Sequence, residues 1–444
     1  MSTSTGTYRL ARAPGGLPLV GNAWPLLRDP LAFLTGLHDR GDLIVLRLGS
    51  TLAYLPLHPE LVHEVLAHPR IYDKGGELAD QARKFMGNSL GTCTWSDHRR
   101  QRPMLQAAFR KPDLIEYSTV MTEEAGKLSR SLTDGQTFDV NATMNVLISK
   151  ILVRTMFCQD IDDATAREID HCLSTILRGA YLRSVYPALD KLPHPGSRAF
   201  HDAIRRLWAF IDTAVTHYRQ NPAGRGVLPL LIRADDQGHL PPGELRDQLA
   251  IMLLAGSETT STCLAWTFDL LGRHPRIRRR LQHEARDILD NRAATAADVP
   301  ALDYTRRVVT ESLRMYPPAW MLPRLTTCDT ELGGHPIPRG TTVLHSHYAQ
   351  HHNPAVFTAP HTFDPERWAT GKPACPGAFI PFSSGSRKCI GDTFAMNEAT
   401  IIVATLASRW TFTPTTARPP RPRPQANLGT GPLPMTATRN PERR

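Results

Sequence analysis

The segment "FIPFSSGSRKCIGDTFAMNEA", from Phe379 to Ala399, is the most specific part of this chain. It contains the pattern F-x-x-G-x-R-x-C-x-G, with the fixed positions Phe382, Gly385, Arg387, Cys389 and Gly391. At average residue usage, five such positions match by chance in a chain of this length with a probability on the order of 10⁻⁴. The alternative is a buried structural cysteine in a turn, which is the usual role of a single cysteine.

The surroundings of Cys389 favour a metal-bound thiolate. The two glycines permit close backbone approaches and leave amide N–H groups free to point at the sulfur. A thiolate stabilised in this way suits the axial position of a haem iron, where it donates electron density and favours O–O cleavage. Arg387 is then expected to meet a haem propionate. The following sequence, "DTFAMNEATIIVATLASRW", has a helical pattern, and its N-terminal dipole would further stabilise the anionic sulfur.

The composition is that of a globular protein with a large core. The chain has 444 residues, of which 41% are hydrophobic and 21% charged, which argues against disordered and fibrous classes. Its seven cysteines are scattered without a CxxC pair, so neither a disulfide framework nor a zinc ribbon is indicated. A reducing cytoplasm is the expected location. The sequence shows neither a membrane anchor nor a signal peptide pattern.

The net charge of +10 does not by itself indicate nucleic acid. The basic residues are dispersed, and much of the excess lies in the tail segments "ARPPRPRP" and "RNPERR". Nucleic-acid binding is therefore not expected, and an acidic protein partner or plain solubility explains the charge better.

The pattern along the chain predicts one large, mainly α domain with a small β-rich region. Residues 1–20 are predicted to be an irregular N-terminal segment and residues 21–444 the domain. The β-rich parts are predicted at about 40–70 and 320–350. The longest helix is predicted over about 242–273, and its nearly apolar centre suggests that it crosses the core.

The segment 382–391 resembles the cysteine-ligand loop of the cytochrome P450 family, and other motifs of that family follow the same order. "ESLR" matches the family's E-x-x-R helix, and "FDPERW" matches its P-E-R-F element with Trp368 in place of Phe. By this resemblance Glu311, Arg314 and Arg367 form a structural triad behind the haem. A spacing of three places the first two on one helix face, although such a pair alone would usually be a solvated ion pair.

The long helix contains "AGSETTS", from Ala255 to Ser261, which resembles the family's oxygen-activation segment. Polar and charged side chains inside an apolar helix cost stability unless they have a role. The resemblance assigns proton delivery during oxygen activation to Thr259 and Glu258, and it lets the helix open locally at Gly256. The alternative is that Glu258 only faces a polar cavity.

A fourth match concerns "HRRQRPMLQAAF", where the family places an aromatic residue or histidine four positions before a propionate-binding arginine. The distance to Phe109 selects His98 and Arg102 over the earlier pair Trp95 and Arg99. Pro103 departs from the family's usual basic residue and is expected to affect the helix around Arg102.

The segment "YPPAWMLPRLTT" resembles the family's cavity wall, which ends in a propionate-binding arginine, here Arg324. The apolar residues of this wall and one small residue of the long helix are candidates for the substrate pocket. Trp320 fits an ordinary core position equally well. The candidates are Ala255, Trp320, Met321 and Leu322.

The resemblance implies a haem-thiolate monooxygenase that binds heme b, with Cys389 as iron ligand and His98, Arg102, Arg324, Arg387, Phe382 and Gly391 at the cofactor. Dioxygen, a hydrophobic substrate, and a separate ferredoxin and ferredoxin reductase supplying electrons from NAD(P)H are the expected partners, and a monomer is expected. The N-terminal half most resembles actinobacterial members that oxidise terpenes and related secondary metabolites.

Two alternatives stay open at this point. One is an atypical member of the family, acting as an isomerase, dehydratase, cyclising or peroxide-driven enzyme, which the Glu258-Thr259 pair disfavours. The other is a non-catalytic haem sensor, for which the sequence has no accompanying signalling module.

Overall fold

Helices dominate the computed structural model, which describes residues 8–185, 195–371 and 375–441. This confirms the mainly α class that the helical periodicity predicts. The helices are α1 (Ala23–Arg28), α2 (Pro30–Thr35), α3 (Pro59–Ala67), α4 (Glu77–Met86), α5 (Trp95–Gln106), α6 (Lys111–Ser131), α7 (Val140–Met156), α8 (Asp163–Val185), α9 (Pro195–Gln220), α10 (Val227–Asp236), α11 (Glu244–Arg273), α12 (Pro275–Leu289), α13 (Asp303–Met315), α14 (His347–His351) and α15 (Asp392–Arg409).

The strands form one larger sheet and three small ones within the described residues. The larger sheet has the order β1-β2-β3-β9-β6-β4, and the others pair β10-β13-β5, β11-β12 and β7-β8. The strands are β1 (Leu10–Arg12), β2 (Leu43–Leu48), β3 (Thr51–Pro56), β4 (Tyr72–Asp73), β5 (Thr137–Asp139), β6 (Leu322–Thr326), β7 (Thr330–Leu332), β8 (His335–Ile337), β9 (Thr342–His345), β10 (Trp410–Pro414), β11 (Arg423–Pro424), β12 (Leu428–Gly429) and β13 (Pro434–Arg439).

The larger sheet joins distant parts of the chain. β2 and β3 form a hairpin around Gly49 and Ser50, and β3 also pairs in parallel with β9, almost three hundred residues later. The segment 1–20 differs from its predicted irregular form, because Leu10–Arg12 pairs in parallel with β2. This pairing depends on an edge that β2 offers only in the folded protein, so local sequence could not indicate it.

The longest helix, α11, crosses the core as its apolar centre predicts. It begins after Gly243, which adopts a left-handed conformation, and acidic Glu244 and Asp247 lie in its first turn, where they favour the positive end of the helix dipole. It ends at Arg273, two residues before Pro275. Buried residues cover nearly all of its circumference beyond Ser257, so neighbouring helices and strands enclose that half of α11.

Gly256 has a packing role in this helix. α11 is continuous through Gly256, and a Cβ atom at this position would lie 2.8 Å from Cδ1 of Leu152 in α7. The same contact is reinforced by a hydrogen bond of 3.1 Å between the hydroxyls of Ser149 and Ser257. The expected local opening at Gly256 is therefore not seen, and the glycine instead allows α7 and α11 to approach closely.

The two largest apolar clusters of the described residues lie in the helical part and beside the larger sheet. The larger one lies among the helices and centres on α6, α7, α11, α13 and α15. The smaller one lies between the larger sheet and helices α2 and α14, and includes Leu34, Leu55, Trp320 and Leu344. Among the described residues, none of the helices is both long enough and apolar enough to span a bilayer.

We expect Gly272→Ala to destabilise the protein by about 1–3 kcal/mol, because the new methyl group would overpack the contact between α11 and β10. The Cβ would lie 2.6 Å from Cδ of Pro414 and 3.0 Å from the carbonyl oxygen of Phe412. Urea denaturation of the two proteins measures the difference in the free energy of unfolding.

Gly126→Ala is the matched control, since Gly126 also lies inside a helix. Its Cβ would lie 3.2 Å from the flexible end of Arg130 and, at an ordinary contact distance, 3.5 Å from Cβ of Ala293. It should be neutral or stabilising by up to about 1 kcal/mol, the difference in helix propensity. Equal effects of the two substitutions would contradict the packing role of Gly272.

Candidate active site

The cysteine loop is a tight turn with its backbone directed at Cys389. The N–H of Cys389 donates to the carbonyl of Phe382 at 2.8 Å, which closes the turn. Gly385 has a φ of +69°, and a Cβ there would lie 2.3 Å from the carbonyl oxygen of Leu66. Only glycine fits this position without a shift of the backbone. Gly391, in contrast, has no such contact, and its contribution is an N–H that bonds the sulfur of Cys389.

Cys389 is exposed by surface area, yet protein atoms surround its thiol densely enough that burial raises its pKa. Both observations fit a side chain that faces an internal pocket. The Gly391 N–H and the charges of Arg102 and Lys388 act in the opposite direction and lower the pKa. Helix α15 begins three residues later, at Asp392. The loop therefore presents sulfur as a ligand with N–H and cationic groups around it.

His98 and Arg102 lie one turn apart on α5, next to the cysteine loop. Arg102 donates to the carbonyl of Lys388, the residue before the cysteine, and to Gln106 at 3.1 Å. His98 is 4% exposed, and burial together with neighbouring cations lowers its pKa to about 4. Arg99, the alternative arginine, is exposed. α5 continues through Pro103, which leaves Arg102 on the helix.

Arg387 and Arg324 are both buried close to the same point. Arg387 donates to the carbonyl of Cys93 at 3.1 Å and pairs with Asp73. Arg324 donates to the carbonyl of Pro323 at 2.9 Å. Burial and the charge of Arg387 lower the pKa of Arg324 to about 10, so holding both cations here is costly.

Lys74 and Asp73, at the end of β4, belong to this group but were missed in the sequence analysis. Burial and the charges of Arg324 and Arg387 lower the pKa of Lys74 to about 7. Its ammonium donates to the carbonyl of Gly91 at 2.6 Å. Neither helix α3 nor the sequence "YDK" contains a local pattern that indicates a binding role. β4 reaches the site only through its pairing with β6.

The donor set fits a cofactor that carries carboxylates. We define the cationic cluster as Lys74, His98, Arg102, Arg324 and Arg387. Two carboxylates of the described residues act on the cluster, Asp73 on Arg387 and Asp392 on Arg102, so positive charge and N–H donors are still in excess. Buried cations of this kind are stable only beside anions, which the propionates of a haem would supply.

Glu311, Arg314 and Arg367 come together in the interior. Arg314 binds both carboxylate oxygens of Glu311 at 2.8 Å, and both side chains are fully buried. Nε of Arg367 lies 3.3 Å from the same carboxylate. Arg314 also donates to the carbonyls of His351, at 2.9 Å, and Pro360, at 2.7 Å. These bonds tie α13 to the chain segments that lead to the cysteine loop.

Trp368, the departure from the family's P-E-R-F element, has a specific partner. Its indole N–H donates to Glu311 at 2.9 Å, and the backbone N–H of Asp364 donates to the same carboxylate at 3.0 Å. A phenylalanine would supply no donor. The tryptophan therefore adds one hydrogen bond to a buried anion, which is the kind of bond that contributes most to stability.

The polar residues of α11 face two directions. The hydroxyl of Thr259 donates to the carbonyl of Ala255 at 2.7 Å, and Ala255 is exposed although the preceding Leu253 and Leu254 are buried. These two residues, one turn apart, border an open space. Glu258 points elsewhere and accepts from Nδ2 of Asn427 at 2.9 Å. Burial raises the pKa of Glu258.

The segment before Arg324 divides between core and open positions. Trp320 is 5% exposed, packs in the smaller cluster and donates its indole N–H to the carbonyl of Gln425 at 2.7 Å. Met321 and Leu322 are half-buried. This geometry favours the core interpretation of Trp320, and a contact of Met321 and Leu322 with substrate stays a prediction.

We expect Trp368→Phe to lower the free energy of unfolding by about 2–3 kcal/mol, because a buried carboxylate loses one of its donors. Trp410→Phe is the control, since its indole N–H donates to a neutral carbonyl, that of Ser129, at 2.9 Å. It should cost about 1 kcal/mol by the same measure. Urea denaturation checks both, and equal losses would show that the charge on Glu311 is unimportant.

A family model described as "Cytochrome P450" matches residues 12–438, nearly the whole chain. The chain is 45% identical over 431 residues to cyclooctat-9-en-7-ol 5-monooxygenase of Streptomyces melanosporofaciens, covering 95% of this chain and 94% of that protein. It is 43% identical to cyclooctatin synthase of the same organism, covering 97% and 96%. It is 38% identical to pentalenene oxygenase of Streptomyces avermitilis, covering 92% of each.

The family match covers both the helical part and the sheets, including β2 and the strands after the cysteine loop. They agree with the arrangement of Cys389, the cationic cluster and the buried Glu311 network, which lie in separate parts of the sequence. From the geometry and the matches together, the chain belongs to the cytochrome P450 family.

Proposed function

We propose that this P450 monooxygenase inserts one oxygen atom from dioxygen into a terpenoid, with electrons from a separate ferredoxin. Members of the family hold haem through a cysteine thiolate. The observation that carries the proposal is the presentation of Cys389 beside the cationic cluster, and the names of the relatives supply the substrate class. The first relative is named for oxidation of cyclooctat-9-en-7-ol, and the third for pentalenene.

When bound, haem would supply the dioxygen chemistry, and Cys389 would hold its iron. The residues of the cationic cluster would hold its propionates by charge and hydrogen bonds. The N–H of Gly391 bonds the sulfur and favours its anionic form. Arg102 holds the carbonyl of Lys388, so the same side chain also fixes the backbone beside the ligand.

Thr259 and Glu258 are proposed to handle protons. The Thr259 hydroxyl is held by the carbonyl of Ala255, which leaves its oxygen able to accept a hydrogen bond from the open side of α11. Burial raises the pKa of Glu258, which brings its protonated form closer to neutral pH. Glu258 can thus take up and release protons more readily than a solvated carboxylate.

An atypical P450 reaction is the second candidate, since the same fold and cysteine loop would support it as well as monooxygenation. The presence of Thr259 beside the open space, with Glu258 next to it in the chain, favours oxygen activation. A sensor role has no observation in its favour among the described residues.

Optical spectroscopy tests the haem assignment. The reduced protein with carbon monoxide should show the Soret band characteristic of thiolate ligation, and Cys389→Ala should lose it because the sulfur ligand is removed. Cys158→Ala, which removes a half-buried thiol that donates to the carbonyl of Arg225, should keep the band. A purified protein that binds no haem would overturn the proposal.

The substrate class is tested by the spin shift that a hydrophobic ligand causes in the ferric spectrum. Cyclic terpenoid hydrocarbons and alcohols should shift the spectrum at lower concentration than fatty acids of equal carbon number. Turnover with a reduced ferredoxin and dioxygen should then add one oxygen atom to the bound terpenoid. A response limited to fatty acids would contradict the terpenoid assignment.

The face around the cysteine loop suits an acidic electron donor. Lys388 and Arg110 are exposed, although the ammonium of Lys388 also pairs with Asp392. Arg110 follows Phe109, whose ring lies 3.7 Å from the position that a Cβ of Gly391 would take. Two exposed cations therefore lie near the thiolate, where an electron would arrive. Acidic ferredoxins would be attracted to such a face, and the attraction would fall with salt.

We expect charge reversal in Lys388→Glu and Arg110→Glu to raise the KM for reduced ferredoxin by roughly fivefold at low salt. Arg421→Glu, at an exposed position in the C-terminal region, should leave it unchanged. Steady-state oxidation at varied ferredoxin concentration measures the effect, with the carbon monoxide spectrum as a check on haem content. Unchanged KM values in all three variants would locate docking elsewhere.

A further inference from the structure

His345 shares a sheet face with Arg324. β6 and β9 are antiparallel neighbours, in which Leu322 pairs with His345 and Arg324 pairs with Val343. Directly opposite residues lie on the same face of a sheet, and so do residues two apart along one strand. His345 and Arg324 are therefore diagonal neighbours on the face that belongs to the cationic cluster.

The imidazole of His345 is fully buried and lacks a partner. It is 0% exposed, and within the described residues neither Nδ1 nor Nε2 has a hydrogen-bond partner. His347, whose ring centroid lies 5.4 Å away, is 1% exposed, and its Nδ1 is also without one. Buried N–H groups without acceptors are costly and uncommon, so this arrangement points to an acceptor that the protein itself does not supply.

The charges around His345 specify the kind of acceptor. The guanidinium of Arg324 is positive, and His347 becomes positive when protonated. Together with burial, these two groups lower the pKa of His345 well below its ordinary value. The nearby carboxylate of the cluster, Asp73, is already used by Arg387 and by the backbone N–H groups of Lys74 and Trp95, at 2.7 and 2.8 Å. An anion with free lone pairs would satisfy the imidazole and the guanidinium together.

We propose that His345 is a further cofactor-binding residue, whose imidazole N–H donates a hydrogen bond to the haem propionate that Arg324 faces. The inference rests on the proposed haem cofactor. It goes beyond the motif residues, because His345 lies on β9, outside every segment that resembles a family signature. Neutral histidine has one ring N–H, which is enough for this bond.

His347 and His351 are positioning residues in this proposal. The rings of His345, His347 and His351 follow one another at centroid distances of 5.4 and 6.3 Å. Nε2 of His351 accepts from the N–H of Ile380 at 2.9 Å, and its carbonyl accepts from Arg314. The row of rings therefore runs from the cationic cluster to Ile380, just before the cysteine loop, and to the Glu311 network, and His345 lies at one end of this row.

The test uses the ferric holoenzyme and two substitutions, His345→Phe and His345→Ala. Resonance Raman bands from propionate bending should shift in both, because the hydrogen bond to the carboxylate is lost. Haem should also transfer to apomyoglobin about tenfold faster, as expected for loss of a bond to a charged acceptor. His345→Gln, which keeps an N–H donor, should stay within about twofold of the wild type.

His352→Phe is the matched control. His352 is also a buried histidine of this segment, but its Nδ1 bonds the carbonyl of Tyr348 at 2.9 Å and its ring stacks on Tyr348. This variant should lose stability and leave the propionate bands and the transfer rate unchanged. A general loss of packing would instead change all variants alike, which would overturn the proposal.

Reconstitution with haem dimethyl ester, whose propionates are esterified, separates a propionate contact from a structural role. With this cofactor, His345→Ala should transfer haem at nearly the rate of the wild type. An unchanged Raman spectrum in both His345 variants, or an equal rate effect with the diester, would show that His345 binds only buried water. Loss of the thiolate Soret band in the wild type would instead refute the proposed cofactor.

Discussion

The buried carboxylate of Glu311 is the interaction on which the arrangement around the site depends. An ion without water must be surrounded by donors, and Glu311 obtains them from Arg314, Arg367, Trp368 and the N–H of Asp364. Those donors come from α13 and from the chain near residue 365. Since both must converge on one carboxylate, the segment that precedes the cysteine loop has a fixed position relative to the helical core.

The second constraint is the excess of buried positive charge beside Cys389. Lys74, Arg324 and Arg387 raise one another's cost, as their shifted pKa values show for Lys74 and Arg324. A bound dianionic cofactor would offset this cost and stabilise only the folded state. In the proposed function, this charge would make the protein less stable without haem and would increase its affinity for haem. His345 fits the same logic, since its unpartnered nitrogens lie beside Arg324.

Local patterns predicted much of this protein. The apolar run of α11, bounded by Gly243 and Pro275, gave its extent within two residues of the observed Glu244–Arg273. The spacing of Glu311 and Arg314 placed them on one helix face. Other features could not be predicted from local patterns, because they depend on contacts between distant residues. These are the pairing of β1, the partner of Trp368, the proximity of Lys74 to the cationic cluster and the packing of Gly256 against Leu152.

The sequence by itself determined the helical class, the long core helix and the motif of the cysteine loop, because these follow from periodicity and from residues close together in the chain. Only the tertiary structure decided which cations gather beside Cys389, where Glu258 and Thr259 point, and that His345 joins Arg324. The physical reason is that charge balance and hydrogen-bond satisfaction act across space, between β4, β6, β9 and the cysteine loop, which the chain brings together only on folding.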